Sequence, residues 1–187
     1  MEAVRDNKYY TYADCADCGE DGVRYELIDG AAYTMPAPST AHNRICRRLL
    51  RQIEDFLEGK PCEVFNAPYD VRLNAAGDED DTVIRPDPLV VCDKSKIDAK
   101  GCNGAPDMVI EISSPSTAGR DFILKYQKYL KAGVREYWIV DPGTKMVQVN
   151  IFEGGGYAPR AYTAADNVPV GILEGCAVNL PDVFSSI

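Results

Sequence analysis

Apolar residues recur along the chain with two different periods, and each period predicts one type of secondary structure. Over Ala41–Leu57 they recur at helical spacing, which predicts an amphipathic helix after the Pro- and Ser-containing break at 36–40. A second helix is predicted from about Gly119 to Ala132, with Gly133 as its C-terminal stop. A short helix is predicted at Tyr12–Asp17. The pattern therefore predicts only two substantial helices.

Short runs rich in apolar and β-branched residues predict the strands. Tyr25–Ile28 and Ala32–Met35 flank Asp29-Gly30, so a tight β-hairpin is expected there. Further strands are predicted at Cys62–Phe65, Tyr69–Leu73, Val83–Val91, Met108–Ile112, Glu136–Val140, Met146–Phe152 and Tyr157–Tyr162. The order of the elements predicts an α+β (mixed α/β) fold, in which two main helices flank one central mixed sheet.

The chain has 187 residues, enough for one domain with a sizeable core and too few for two ordinary domains. We expect an N-terminal extension at 1–20, a core over about 21–165, and a tail at 166–187 that packs on the sheet. Within the tail, Val170–Phe184 is expected at the edge of the sheet. No apolar run approaches the roughly 20 residues of a membrane-spanning helix, and the first residues are polar. The expected location is therefore the cytoplasm.

The seven cysteines are scattered along the chain, and their number is odd. This distribution is typical of reduced thiols in a cytosolic protein rather than of a disulfide framework. Cys62 and Cys92, which flank strand-like runs, are therefore also expected to be reduced thiols. Cys15 and Cys18 form a single CxxC pair, but a zinc site would need two further ligands at suitable spacing. A zinc or redox role for this pair stays an alternative.

The formal net charge of −9 argues against a protein that coats nucleic acid through its overall electric field. A local basic patch is nevertheless predicted on the polar face of the first long helix. It consists of Arg44, Arg47, Arg48 and Arg51. These arginines either pair with Glu54, Asp55 and Glu58 on a solvated face, or contact the phosphate backbone of a nucleic acid.

Two carboxylates in or beside apolar strands are the strongest sign of chemistry. Asp87 lies between Pro86 and Pro88, which cannot donate ladder hydrogen bonds and so mark the end of a strand. Glu111 shares one face of an apolar strand with Val109, where a carboxylate must be either bound to a metal or paired with a basic residue. If the two strands pair, both carboxylates meet at one end of the sheet and can hold a divalent cation.

Asp107 competes with Asp87 for the role of second ligand. It precedes Glu111 by four residues, which places the two side chains on one strand face but roughly 13 Å apart. One metal ion cannot bind both residues of a straight strand. We therefore expect Asp87 to be the partner of Glu111, and Asp107 to cap a turn.

Three further residues are candidates for the same site. Lys125 borders the buried face of the second helix, from which its ammonium can position a water or offset charge on a phosphate. Alternatively, it forms a surface ion pair with Asp121, four residues earlier. Glu26 either completes the site or is an ordinary edge glutamate. His42, the only histidine, is expected to cap the first long helix or to face solvent.

Four segments, in order, are similar to the motifs of the Uma-two family, a bacterial branch of the PD-(D/E)xK nuclease superfamily. They are Tyr25–Gly30, Arg85–Asp87, Ala105–Thr117 and Gly133–Pro142. The likeness covers about residues 9 to 165 and implies a restriction endonuclease-like core. It also implies that Asp87 is the motif aspartate and Glu111 the acid of the (D/E)xK element. Ser113 stands where that element has lysine, and the resemblance implies that Lys125 takes its place.

These observations predict a Mg²⁺- or Mn²⁺-dependent endonuclease that hydrolyses DNA and forms a homodimer. The expected metal ligands are Asp87, Glu111 and the backbone carbonyl of Ile112. The expected catalytic residues are Asp87, Glu111, Lys125 and Glu26. Glu26 is included because the resemblance implies an acid on an early element of such nucleases. The alternative is a binding or dimerisation module that keeps the fold without turnover.

Overall fold

A computed structural model of the chain describes residues 8–15, 24–113, 118–185 and 187, without the side chains of 118–121. The helices within these residues are α1 (Tyr12–Cys15), α2 (Thr40–Leu57), α3 (Ala118–Ala132) and α4 (Leu180–Val183). As predicted, only α2 and α3 are long. None of the described helices has the length and apolar character needed to cross a membrane.

Short strands make up most of the rest of the described chain. They are β1 (Tyr25–Ile28), β2 (Ala31–Thr34), β3 (Glu63–Phe65), β4 (Val71–Arg72), β5 (Val83–Ile84), β6 (Leu89–Val91), β7 (Ile97–Asp98), β8 (Gly101–Asn103), β9 (Met108–Ile112), β10 (Glu136–Asp141), β11 (Met146–Glu153), β12 (Gly156–Thr163), β13 (Asn167–Pro169) and β14 (Ala177–Asn179). The predicted hairpin at Asp29-Gly30 joins β1 and β2, and both turn residues have positive φ angles of 51° and 73°.

The described strands form two six-stranded sheets and a small hairpin, which corrects the prediction of one central sheet. The first sheet has the order β2-β1-β5-β4-β8-β7 and the second has the order β12-β11-β10-β9-β6-β3. Both are mixed, because β4 is parallel to β8 and β9 is parallel to β10. The fold nevertheless belongs to the predicted mixed α+β class.

The segment Val83–Val91, predicted as one strand, is two strands that belong to different sheets. β5 lies in the first sheet and β6 in the second, and Arg85–Pro88 links them. The two prolines of this link have no backbone N–H, so a ladder cannot continue across it. Asp87 therefore lies at the junction of the two sheets.

α2 packs on one face of the second sheet. Ile45, Leu49 and Ile53 of α2 are completely buried against Ile110 of β9 and Trp138 of β10. Apolar residues at this spacing form one stripe of a helix, which is why the sequence pattern identified α2. Val109 of β9 points to the opposite face, into a second cluster that contains Tyr129 of α3. α3 thus covers the face that Glu111 shares with Val109.

The C-terminal tail packs beside α2 on the face of the second sheet, and not on its edge as predicted. Its buried residues in this core are Val168, Val170, Leu173, Cys176, Val178, Leu180, Val183 and Phe184. Glu136 of β10 holds the tail in place. Its Oε2 accepts the backbone N–H of Ile172 at 2.9 Å, and its Oε1 accepts the indole N–H of Trp138 at 2.7 Å.

Cys62 and Cys92 form a disulfide, which corrects the prediction of reduced thiols for this pair. β3 and β6 are antiparallel, with Glu63 opposite Val91, so the two adjacent cysteines lie across from each other. Sequence spacing could not reveal this contact, because it depends on the register of two strands. The other described cysteines are all buried and are Cys15, Cys46, Cys102 and Cys176. Cys18 of the CxxC pair lies outside the described residues.

Candidate active site

The four predicted catalytic residues line one cavity of about 730 Å³. Glu26 comes from β1, Asp87 from the link between the sheets, Glu111 from β9 and Lys125 from α3. The junction of the two sheets therefore brings together side chains that are as far apart in sequence as Glu26 and Lys125, which are separated by 99 positions. Ile112, the predicted source of a backbone ligand, lines the same cavity.

The ammonium of Lys125 is bonded to two glutamates. Its Nζ donates to both carboxylate oxygens of Glu111, at 3.0 and 3.1 Å, and to Oε1 of Glu26 at 3.0 Å. Lys125 is only 6% exposed, so the alternative of a surface ion pair is wrong for this residue. The side chain of Asp121, the expected partner in that alternative, lies outside the described part of the chain.

Glu26 is buried, with an exposed fraction of 1%, and is therefore not an ordinary edge glutamate. Its Oε1 accepts the backbone N–H of Arg85 at 2.8 Å in addition to the ammonium of Lys125. Its Oε2 is buried and has no hydrogen-bond partner among the described residues. A buried carboxylate oxygen without a partner is unfavourable, so this atom marks a place where a cation or a water can bind.

Glu111 has an unusual protonation equilibrium because of its surroundings. Burial raises its pKa to about 7, and the charges of Glu26 and Asp87 act in the same direction. The ammonium of Lys125 and the hydroxyl of Tyr129, which donates to Oε1 of Glu111 at 2.6 Å, oppose this shift. Burial would lower the pKa of Lys125, but the two glutamates outweigh it and raise that pKa above its usual value. Lys125 is therefore a charged ammonium at neutral pH.

Asp87 is oriented by contacts with β9 and α2. Its Oδ2 accepts the backbone N–H of Ile112 at 2.9 Å and lies 3.1 Å from Nε2 of His42. Two residues earlier in β9, the backbone N–H of Ile110 donates to the carbonyl of Pro88 at 2.8 Å. The carboxylate of Asp87 therefore accepts from β9 just before β6 begins, where the next backbone acceptor of a ladder would lie. The N–H and C=O of one residue face the same antiparallel neighbour. The carbonyl of Ile112 therefore points toward the side on which Asp87 lies.

These oxygen donors fit a small divalent cation. Mg²⁺ prefers oxygen ligands and is commonly held by one or two carboxylates, with water completing its coordination shell. Asp87, Glu111 and the carbonyl of Ile112 provide such a set. Within the described residues no three His, Cys, Asp or Glu side chains are grouped to hold a metal. A cation bound here would therefore be held by two carboxylates and a backbone carbonyl, with water as its remaining ligands, and not by side chains alone.

Asp107 lies away from this cluster, as the strand geometry predicted. Its Oδ2 accepts the backbone N–H of Cys92 at 2.7 Å, and its Oδ1 pairs with Arg135 at 3.0 Å. It does not line the cavity. Of the Pro-Asp pairs at 86–87 and 106–107, only the first therefore belongs to the candidate site.

The predicted basic patch of α2 is divided between two environments. Arg48 and Arg51 bind the carboxylate of Asp182 in α4, at 3.0 and 2.7 Å, rather than the acidic residues of α2 or a free surface. Arg48 also donates to the backbone carbonyl of Asp182 and to the hydroxyl of Ser185. The reason is that the tail packs beside α2, which the helical pattern alone could not show. Arg44 and Arg47 have exposed side chains.

Sequence reasoning placed His42 wrongly. Its side chain is 18% exposed and contacts Asp87 instead of facing solvent. Ser39 caps α2, since its Oγ accepts the backbone N–H of His42 at 3.1 Å. Tyr129 was also missed as a site residue, although its position four residues after Lys125 places both on one face of α3. No comparable signal existed for His42, because its contact depends on where the sheet junction lies.

Solved structures include one with the same fold. It is the crystal structure of a "putative nuclease belonging to DUF820" from Anabaena variabilis, with a TM-score of 0.75 and 22% sequence identity. The match covers 94% of this chain and 98% of that chain. At this identity the likeness concerns the fold, and it confirms the predicted restriction endonuclease-like architecture.

Sequence comparisons lead to the same group of proteins. The chain is 26% identical over 148 residues to "Uncharacterized protein slr1290" of Synechocystis sp., a match that covers 78% of this chain and 75% of that protein. The family model of Uma2, described as "Putative restriction endonuclease", matches residues 8–180. This range includes every residue of the cluster around Lys125 and the whole of both six-stranded sheets. The chain therefore belongs to the Uma2 family, whose motifs its sequence resembles.

Proposed function

We propose that the protein is a Mg²⁺- or Mn²⁺-dependent endonuclease that hydrolyses phosphodiester bonds of DNA. The observation that carries the proposal is the cluster in which Nζ of Lys125 lies within 3.1 Å of both glutamates, in the cavity that Asp87 also lines. Glu26 and Glu111 share that ammonium, Oε2 of Glu26 has no partner among the described residues, and Asp87 adds a third carboxylate to the same cavity. A divalent cation would stabilise this group of acids.

Asp87, Glu111 and the backbone carbonyl of Ile112 would hold the cation. When bound, the cation polarises phosphoryl oxygens and lowers the pKa of a water that it ligates. The raised pKa of Glu111 supports this assignment. Its largest cause is burial, the charges of Glu26 and Asp87 add to it, and a bound cation would favour the ionised carboxylate against both.

Lys125 would act as a charged donor rather than as a base, because its pKa is raised and its ammonium keeps the proton. From its place beside Glu111 it can align the attacking water by hydrogen bonding and offset charge on the pentacovalent phosphate. Glu26 would orient a water or bind a second cation through Oε2, which is the oxygen that lacks a partner among the described residues.

DNA is proposed as the substrate on the strength of the family's description and of local charge. α2 begins at the cavity, which Ala41 and Asn43 also line, and it carries the exposed Arg44 and Arg47 further along. Such residues can contact the phosphates that flank the bond to be cleaved. Local contacts of this kind are compatible with the net charge of −9.

Cleavage of supercoiled plasmid and of single-stranded DNA, with Mg²⁺, Mn²⁺ or EDTA, tests the proposal. We expect cutting that requires the cation and falls on the order of 100-fold or more in Asp87→Asn and Glu111→Gln. Asp107→Asn is the matched control, since Asp107 also follows a proline but lies outside the cavity. Absence of cation-dependent cutting by the wild type, or full activity of Asp87→Asn, would contradict the proposal.

A second candidate function is a binding or dimerisation module that keeps the nuclease fold without turnover. It is favoured by the ammonium of Lys125, which provides Glu111 and Glu26 with a partner in the absence of any cation. This candidate predicts a homodimer that binds no Mn²⁺. Calorimetric titration distinguishes the two functions, because Mn²⁺ binding that Glu111→Gln abolishes counts against the module. Light scattering tests the homodimer. A homodimer built through the strands after Trp138 is proposed in either case.

A further inference from the structure

His42 and Asp87 form a partly buried pair at the edge of the cavity. Their side chains are 18% and 14% exposed, and Nε2 lies 3.1 Å from Oδ2. An ionised carboxylate only accepts hydrogen bonds, so Nε2 of His42 is the nitrogen that carries the proton. Nδ1 is buried and has no partner among the described residues. Within this part of the chain, the contact with Asp87 is therefore the hydrogen bond that the imidazole makes.

The two oxygens of Asp87 have different surroundings. Oδ2 accepts one hydrogen bond from the backbone of Ile112 and one from His42. No described residue donates to Oδ1, although Asp87 lines the cavity. A carboxylate with one oxygen held by two donors is set to offer its other oxygen to a cation, and hydrogen-bonded carboxylates of this kind are usual among metal ligands.

We infer that His42 is a positioning residue, which holds Oδ2 of Asp87 so that Oδ1 is presented to the cation site. The inference rests on the proposed function, because it assigns His42 a role in that same site. Because Nε2 donates to Asp87 in this arrangement, that nitrogen is not available as a metal ligand.

The backbone next to Asp87 gives its carboxylate no support, so the N–H of Ile112 and the imidazole of His42 are what hold Oδ2 among the described residues. Pro86 and Pro88 flank it, and neither has an N–H that could hold the carboxylate. The charge of Asp87 also repels that of Glu111, and this repulsion adds to the effect of burial in raising the pKa of Glu111. Without the imidazole, rotation of Asp87 away from Glu111 would relieve this repulsion and separate the two ligands.

α2 is a rigid support for the imidazole. Ser39 caps the helix through the backbone N–H of His42, and the apolar stripe that begins at Ile45 is completely buried against the second sheet. The cap and the imidazole thus act on the same turn of the helix in separate ways. One orders the backbone, and the other orients Asp87.

Binding of Mn²⁺ to two variants of His42 tests the inference. His42→Leu removes the donor, and we expect it to weaken Mn²⁺ binding by about 10- to 100-fold and to lower kcat for plasmid cleavage with little change in KM. His42→Gln places an amide N–H at a similar reach and is expected to recover most of both properties. Affinity is measured by the loss of the free Mn²⁺ signal in electron paramagnetic resonance.

Ser39→Ala is the control for damage to the helix. It removes the cap and leaves the imidazole in place, so we expect a lower unfolding midpoint with wild-type Mn²⁺ affinity. Equal losses of affinity in Ser39→Ala and His42→Leu would overturn the inference, because helix order alone would then explain them. Wild-type affinity and cleavage in His42→Leu would overturn it and leave the proposed function intact. A wild-type protein that binds no Mn²⁺ would overturn both.

Discussion

The ammonium of Lys125 is buried against Glu26 and Glu111. Among the described residues, it is the positively charged group that forms an ion pair with these two carboxylates. A buried ammonium is tolerated only when it is paired, and Lys125 is paired with Glu111 and Glu26 through three hydrogen bonds. The same contacts keep two buried carboxylates compensated. This mutual dependence gives two predictions at the scale of single residues.

Replacing Lys125 should destabilise the protein strongly in cation-free buffer. Lys125→Met keeps much of the volume but leaves Glu111 and Glu26 buried without a counter-charge, so we expect a loss of about 3–5 kcal/mol in the free energy of unfolding. Mn²⁺ should restore part of the loss if it binds these acids. Urea denaturation with EDTA or with Mn²⁺ measures both effects.

Lys128→Met is the matched control on the same helix. Lys128 pairs with Asp29, whose side chain is 69% exposed, so its removal should change the free energy of unfolding by at most about 1 kcal/mol. Equal losses in the two variants would show that Lys125 has no special role in compensating the buried acids.

The raised pKa of Glu111 predicts a pH dependence of stability with a definite sign. Between the ordinary glutamate pKa of 4.5 and the pKa of about 7 in the folded protein, the native state binds more protons at Glu111 than the unfolded state does. The stability that this group contributes therefore falls as the pH rises through that window. Comparison with Glu111→Gln in EDTA should show a wild-type decline of up to about 3 kcal/mol that the variant lacks. Parallel stability curves would contradict this.

At the scale of elements, α2 combines two tasks on different faces. Its buried stripe packs on the second sheet, and Arg48 and Arg51 on its polar side bind Asp182 of the tail. Arg47 is exposed on the same helix. We therefore expect Arg48 and Arg51 to contribute to stability, and Arg47 to contribute to DNA binding.

Substitution of single arginines should separate these effects. Arg48→Gln loses its contacts with α4, so we expect about 1–2 kcal/mol less stability. Arg47→Gln should leave stability unchanged. It should make the slope of the logarithm of the DNA-binding constant against the logarithm of the salt concentration shallower by about 0.9, which is the value for one phosphate contact. Fluorescence anisotropy with labelled DNA, in a Glu111→Gln background that prevents cutting, measures the binding. An unchanged salt slope in Arg47→Gln would remove Arg47 from the DNA-binding surface.

Glu136 links β10 to the tail and gives a second prediction for elements. Glu136→Ala leaves the indole N–H of Trp138 and the amide of Ile172 without an acceptor, at an expected loss of about 2–4 kcal/mol. Trp138 is the only tryptophan, so its fluorescence reports the change directly. Glu153→Ala, at an exposed position of β11, is the control and should shift stability by less than about 0.5 kcal/mol. Similar values for both would contradict the anchoring role.

At the scale of the whole molecule, features set by local chemistry were predictable and those set by sheet pairing were not. The hairpin at Asp29-Gly30 followed from turn residues that accept positive φ, and α2 followed from its apolar stripe. The acids of the site were visible because carboxylates are rare in apolar strands. In contrast, the contact of His42 with Asp87 spans 45 positions and depends on a junction of two sheets that no local pattern encodes.

The same distinction explains the corrected prediction of a single sheet. Val83–Val91 has the composition of one strand, and the prolines at 86 and 88 indicated only that a strand ends near Asp87. They could not indicate that the chain passes into another sheet there. That passage places Asp87 opposite Glu111 and so creates the cavity.

The central claim is that Asp87 and Glu111 share one divalent cation beside the amine of Lys125. A crystal soaked in Mn²⁺ and measured near the manganese absorption edge tests it most directly, because anomalous scattering locates the ion independently of the refined atoms. The account predicts an anomalous peak about 2.0–2.3 Å from oxygens of Asp87 and Glu111 and from the carbonyl of Ile112. No peak at these oxygens, with the ammonium of Lys125 still bonded to both glutamates at saturating Mn²⁺, would contradict it.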